Sequence, residues 1–142
     1  MVNLGRASVI AVGDVISEKI FWIDREMLKR YADASGDQNP IHQDEDFAKS
    51  VGLPDVIAHG MLTMALVGKF VSDWGGGPQS VKEFSARFVK PVIVPKDEHV
   101  DLTVSATVAE LIEVGARLTI SATSQGIKVL GNAKAVVALV AF

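Results

Sequence analysis

The apolar positions change their period twice along this chain. Val15, Ile16, Ile20, Phe21 and Ile23 predict a strand from Val15 to Ile23 that ends at Asp24. Asp24 stands where a helix N-cap belongs, because Met27, Leu28 and Tyr31 follow at helical spacing. Ser35-Gly36 stops that helix, and a polar turn runs from Asp37 to Gln43. Asp44 then reads as the cap of a short helix carrying Phe47, Ala48 and Val51 and closed by Gly52. Leu53 to Ala58, with Pro54, is a connecting stretch. His59-Gly60 opens a second, longer helix over Met61–Trp74. It is apolar almost all the way round and is therefore expected to be buried, and Gly75-Gly76-Gly77-Pro78 ends it.

From Ser80 onward the period becomes two. Val100, Leu102, Val104, Ala106 and Val108 alternate with polar partners, as do Leu118, Ile120 and Ala122. Turn signals fall at Pro95-Lys96-Asp97, near Gly115 and at Gln125-Gly126, and a Val- and Ala-rich run extends from Lys128 to Ala141. Consecutive strands with short turns predict an antiparallel meander. One face of that sheet on a buried helix is an α+β arrangement. No repeat, linker or low-complexity segment interrupts it, so residues 1–142 read as one domain.

Composition narrows the function classes. Hydrophobic residues make up 49 % of the chain and charged ones 22 %, as in a well-folded soluble protein. A net charge of -3, with basic residues scattered, gives no reason to expect nucleic acid. The absence of cysteine excludes disulfides, thiolate metal sites and a cysteine nucleophile. The N-terminus lacks the apolar run and cleavage site of a signal peptide, and no stretch approaches the roughly 20 apolar residues that span a bilayer. The expectation is a cytoplasmic protein with no membrane span.

Chemistry concentrates in Tyr31–Ala48. Within six residues this segment places a carboxylate (Asp37), an amide (Asn39), a proline (Pro40) and an imidazole (His42). Helices predicted on both sides hold the loop, which suits two proton-transfer groups that need fixed positions. Pro40 restrains its own φ and pushes Asn39 towards an extended conformation, and the Asn39 side chain can bond backbone groups of the turn. Downstream, Gly60 at the first turn of a buried helix offers a free N–H at the positive end of the helix dipole, suited to a developing oxyanion. An acid–base pair beside an oxyanion donor is equipment for moving a proton α to a carbonyl.

Plainer readings stand beside this one. Asp37 after Ser-Gly is a common turn former, and a lone histidine such as His42 is more often a satisfied structural residue. His59 reads as capping or packing at the helix start, and Asp44, Glu45 and Asp46 as cap and dipole partners of the short helix. No metal is expected. In an EF-hand register from Asp37, the required glycine position holds His42 and the bidentate glutamate position holds Ala48. Zinc spacing such as HExxH is also missing. Ser35 lacks the elbow context of a hydrolase nucleophile.

The stretch GDQNPIH with the later AHGML resembles the MaoC-like family of (R)-specific enoyl-thioester hydratases and (3R)-hydroxyacyl-thioester dehydratases. The similarity is strongest from Tyr31 to Phe70 and continues weakly through Arg87-Phe88 and Pro91-Val92. It implies a hot-dog fold, a curved antiparallel sheet wrapped around the long central helix, which forms homodimers or heterodimers. It implies Asp37 and His42 as the catalytic pair, Asn39 as the residue that orients the loop, and the Gly60 N–H as the thioester carbonyl donor. It also implies an acyl thioester substrate, on coenzyme A or an acyl carrier protein, and no cofactor. His59 and Gly68 are possible substrate contacts. Gly68 stands where several hydratases of the family carry a serine, which removes one hydrogen bond to the active-site water and leaves room for a longer acyl chain. Two other classes share the fold: a non-catalytic or obligate heterodimer subunit that binds acyl chains, and a thioesterase. Docking of an acidic carrier protein would need Lys82, Arg87, Lys90 and Lys96 on one face.

Overall fold

The computed structural model describes residues 10–139, so the start of the N-terminal apolar patch and positions 140 and 141 of the last run lie outside the described residues. Strand β1 (Val15–Asp24) leads directly into helix α1 (Arg25–Ser35). Asp24 is extended and its carboxylate accepts from the Met27 N–H at 2.8 Å, which satisfies one of the orphan donors of the first turn. Gly36 closes α1 in the left-handed region, φ 85°, where a side chain would be strained. A 3-10 turn spans Pro40–His42, followed by helix α2 (Glu45–Ser50), whose cap Asp44 accepts from the Phe47 N–H at 3.0 Å. Helix α3 (Gly60–Gly75) is the long one, and a second 3-10 turn over Pro78–Ser80 follows it.

The rest of the chain forms β2 (Val81–Phe88), β3 (His99–Ile112), β4 (Gly115–Ser124), β5 (Ile127–Lys128) and β6 (Leu130–Ala138). All pair antiparallel in one six-stranded sheet of order β1-β3-β4-β6-β2, with β5 beside β4. The meander is present as β3, β4 and β6. The two earliest strands take the edges, each beside a strand distant in sequence. Bulges between Ile16 and Lys19, Val81 and Glu83, Ser85 and Arg87, and Val108 and Glu110 bend the sheet. Among the described residues no helix is long and apolar enough to cross a membrane.

The alternation puts Val100, Leu102, Val104, Ala106 and Val108 of β3 on one buried face, joined by Leu118, Ile120 and Ala122 of β4. Against that face α3 buries Leu62, Val67, Phe70 and Val71. This is the hot-dog arrangement. One expectation needs correction: α3 is not buried all round. Met61 is 57 % exposed and Ala65 also faces solvent, because one sheet covers only one side of a helix. The sequence pattern measured the apolar girth of the helix, and a single chain covers only part of it.

The C-terminal end of α3 fits its surroundings closely. A Cβ on Gly75 would collide with the Ser80 side chain and come within 2.7 Å of Val137 Cγ1, while the Ser80 hydroxyl donates to the Gly77 carbonyl at 2.6 Å. Gly75→Ala should therefore destabilise the protein by about 1–3 kcal/mol through overpacking. A urea midpoint unchanged from wild type would contradict the packing described.

Candidate active site

The site is framed by three backbone residues, Val56–Ala58. The Ala58 N–H donates to the Val92 carbonyl and the Val94 N–H to the Val56 carbonyl, both at 2.9 Å, and Ile57 bridges Ile93. On the other side the Ile57 N–H donates to the Ile41 carbonyl at 3.2 Å. Arg25 ties the outer edge: its Nε–H donates to the Val94 carbonyl at 2.6 Å, and its Nη2 reaches Asp55 at 2.8 Å and Glu45 at 3.4 Å. One guanidinium thus joins the starts of α1 and α2 to the connecting stretch. The Lys49 ammonium and Arg25 beside Glu45 hold that carboxyl below its ordinary range.

The Asp37–His42 loop is a chain of short-range bonds. Asp37 Oδ1 accepts from the Asn39 N–H at 3.2 Å, Asn39 Oδ1 accepts from the Ile41 N–H at 3.2 Å, and the His42 N–H donates to the Asn39 carbonyl at 3.1 Å. With Pro40 at the first position of the 3-10 turn, these bonds aim His42 inward, where it is buried. His42 Nδ1 lies 2.7 Å from the Ile57 carbonyl. A carbonyl oxygen only accepts, so Nδ1 carries the hydrogen and the neutral ring presents a lone pair at Nε2. Asp37 stays exposed at the mouth of this arrangement.

His59 departs from the capping role. It makes no side-chain cap bond to α3. Instead its ring is 2 % exposed, stacks on His42 with centroids 3.8 Å apart at 24°, and meets the Tyr31 ring edge-on at 4.7 Å. Its Nε2–H donates to the Asp37 carbonyl at 3.1 Å, which leaves Nδ1 as a buried acceptor with no partner among the described residues. Burial pushes the His59 pKa below its ordinary value, and proximity to His42 acts in the same direction.

Asp37, His42 and His59 each offer a ligand atom within 4.8 Å of the others. The stacking argues against a metal, because imidazole lone pairs lie in the ring plane and two nearly parallel rings point theirs side by side. Zinc at about 2.0–2.1 Å from both nitrogens would sit well out of each plane. The trio suits proton handling better than coordination.

Beside His42 lies a cavity of ≈ 290 Å³, walled by Ile57, Ala58, Val92, Val129 and Leu130 and by Thr63 of α3. Gly60 and Phe88 also line it. Gly60 is the first residue of α3, so its N–H has no intrahelical partner. The fit is close here: a Cβ would lie 3.1–3.3 Å from three atoms of the Phe88 ring, which would have to give by a few tenths of an ångström. The predicted residues therefore do not all meet the cavity. His42 and Gly60 line it, whereas Asp37 and Asn39 stay on the exposed loop outside the lining, His59 is packed behind His42, and Gly68 lies further along α3 against the Phe84 ring, 3.3 Å from a Cβ at that position. Thr63 went unnoticed in the sequence, where only its polarity within an apolar run marks it. Of the four cations considered for carrier docking, Lys90 alone lines the cavity.

A family model described as a MaoC like domain matches residues 11–125. The chain belongs to the MaoC-like family. Similar proteins include 3-hydroxyacyl-thioester dehydratase X of Mycobacterium tuberculosis, 46 % identical over 48 % of this chain and 23 % of that protein. The mitochondrial 3-hydroxyacyl-[acyl-carrier-protein] dehydratase of Arabidopsis thaliana is 32 % identical over 65 % of this chain and 54 % of its own length. Among solved structures, a MaoC-like dehydratase superposes with TM-score 0.90 at 38 % identity, covering 94 % of this chain and 42 % of that one. An (R)-hydratase from A. caviae involved in PHA biosynthesis gives TM-score 0.80 at 27 % identity, covering 94 % of this chain and 100 % of that one. This MaoC-like chain spans from less than a quarter to about half the length of the two curated relatives.

The lowered pKa of His59 sets a sign for pH dependence. Below its ordinary value of 6.5, the unfolded chain takes up a proton that the folded protein refuses, so stability falls as pH falls through that value. Wild type should lose more stability between pH 6.5 and 5 than His59→Asn. Chemical denaturation across that range checks this, and parallel curves would show that His59 is not held neutral.

Proposed function

We propose that the protein catalyses reversible addition of water to trans-2-enoyl thioesters, giving (R)-3-hydroxyacyl thioesters on coenzyme A or an acyl carrier protein. The observation that carries the reading is the fixed tautomer of His42. Its Nε2 lone pair stands at the wall of an apolar cavity, with the Asp37 carboxylate in the same cluster and the unpaired Gly60 N–H on the same cavity. The names of the similar dehydratases and (R)-hydratases support the same chemistry.

In this reading a water held between Asp37 and His42 attacks C3 while His42 Nε2 receives a proton. One O–H bond and the C2=C3 π bond break, C3–O and C2–H bonds form, and the proton returns to C2 through the pair. Both groups end as they began. The Gly60 N–H holds the enolate-like oxygen that develops between these events. No cofactor enters, because the thioester itself acidifies the α-carbon. Exposed Met61, Phe88 and Val89 leave apolar surface near the mouth of the cavity, which supports assembly with a second hot-dog domain, from another copy or from a homologous subunit.

Mixing the protein with crotonyl-CoA, and separately with a longer enoyl-CoA, should bleach the enoyl-thioester ultraviolet band without releasing thiol. Asp37→Asn and His42→Ala should each lower turnover by about 10²–10⁴-fold with the fold intact, and a chelator should leave the rate unchanged. Near-normal turnover in both variants would refute the assignment, and stoichiometric thiol release would point to a thioesterase instead.

A further inference from the structure

The cavity contains one hydroxyl that nothing described so far uses. Thr63 lies in the first turn of α3, three residues after Gly60, so the two share a face of the helix and both line the cavity. Its residue is only 4 % exposed. A threonine in a helix ordinarily turns its hydroxyl back onto the carbonyl four residues earlier, here that of His59. That carbonyl takes the backbone N–H groups of Leu62 and Thr63 instead, and the Thr63 hydroxyl has no hydrogen-bond partner among the described residues. The hydroxyl is not sealed off, since the one buried side-chain polar atom left unpaired among the described residues is His59 Nδ1, so it stays open to what enters the cavity that Thr63 lines.

We propose that Thr63 is a substrate-binding donor whose hydroxyl joins the Gly60 N–H in holding the thioester oxygen. The inference rests on the hydratase reading and adds a second donor to its oxyanion site. A single N–H at a helix start is a weak cradle, whereas oxyanion sites generally gather two donors onto the position where charge develops. Gly60 and Thr63 supply one from the backbone and one from a side chain, on the same turn of α3 and across the cavity wall from the loop that carries His42. The serine that the family resemblance led us to expect at position 68 would not serve this purpose, since Gly68 faces Phe84 away from the cavity lining.

The test uses two isosteric comparisons that differ only in the hydroxyl, Thr63 against Thr63→Val and Thr63→Ser against Thr63→Ala, so a folding defect in one variant leaves the other pair informative. The first readout is the infrared carbonyl band of bound carbonyl-¹³C-labelled butyryl-CoA, which binds without reacting. The second is turnover of crotonyl-CoA. The band should move to lower frequency in wild type and Thr63→Ser and move back part of the way in Thr63→Val and Thr63→Ala. In those two variants kcat should fall by about 10²-fold with little change in KM. Equal bands and rates within each pair would overturn the role of Thr63 and leave the hydratase reading standing. Saturated binding with no shifted band in wild type would overturn the oxyanion site and the role of Thr63 in it, while crotonyl-CoA turnover decides the hydratase reading separately.

Discussion

Everything at the site depends on how Val56–Ala58 is held. These residues connect two helices and belong to no sheet, yet they are bonded on both flanks: to Val92 and Val94 on one side and to Ile41 on the other. Ile57 is the pivot. Its N–H fixes the loop backbone and its carbonyl fixes the imidazole of His42. The imidazole of His42 is thus oriented by main chain on a stretch that also delivers the N-terminus of α3. Loop, helix start and cavity wall share one support, and a shift of any of them would displace the others. Preorganisation of this kind spares the cost of ordering the groups at the moment of reaction.

Electrostatics follow from the same packing. His59 is stacked beneath His42, and burial pushes its pKa below the ordinary value, which disfavours a second cation beside His42. The apolar walls lower the local dielectric, which strengthens each hydrogen bond to developing charge. Arg25 and its acidic partners lie outside this zone, where their pairing holds the frame and leaves the cavity uncharged apart from Lys90 at its exposed edge.

Local features of the fold were legible in the sequence because they are local. Asp24 and Asp44 cap the helices that follow them, and Gly36 ends α1 in a left-handed conformation that the Ser-Gly signal predicts. The alternation in β3 and β4 translated directly into one buried face. Pairing of β1 with β3 and of β2 with β6 was not legible, since partners distant in sequence leave no mark on the period. The same limit applied at the site. GDQNPIH marked the polar loop, but the partner of His42 is a main-chain carbonyl, which any residue could supply and which therefore leaves no trace in sequence. His59 read as capping or packing at the helix start, and it packs: its ring makes no cap bond and stacks on His42.

The approach of Phe88 to Gly60 separates two kinds of position. Gly60 supplies a backbone N–H that most residues could supply, and its lack of a side chain lets the Phe88 ring come close. Phe88 is 56 % exposed and belongs to the end of an edge strand, so exchanging it disturbs little of the core. Enzymes that diverge in substrate range need such a division between a conserved chemical frame and a tunable rim. In this chain Phe88 stands at that rim, exposed on one side and set against Gly60 on the other, so the entrance of the cavity and the seating of the helix start are coupled through one ring.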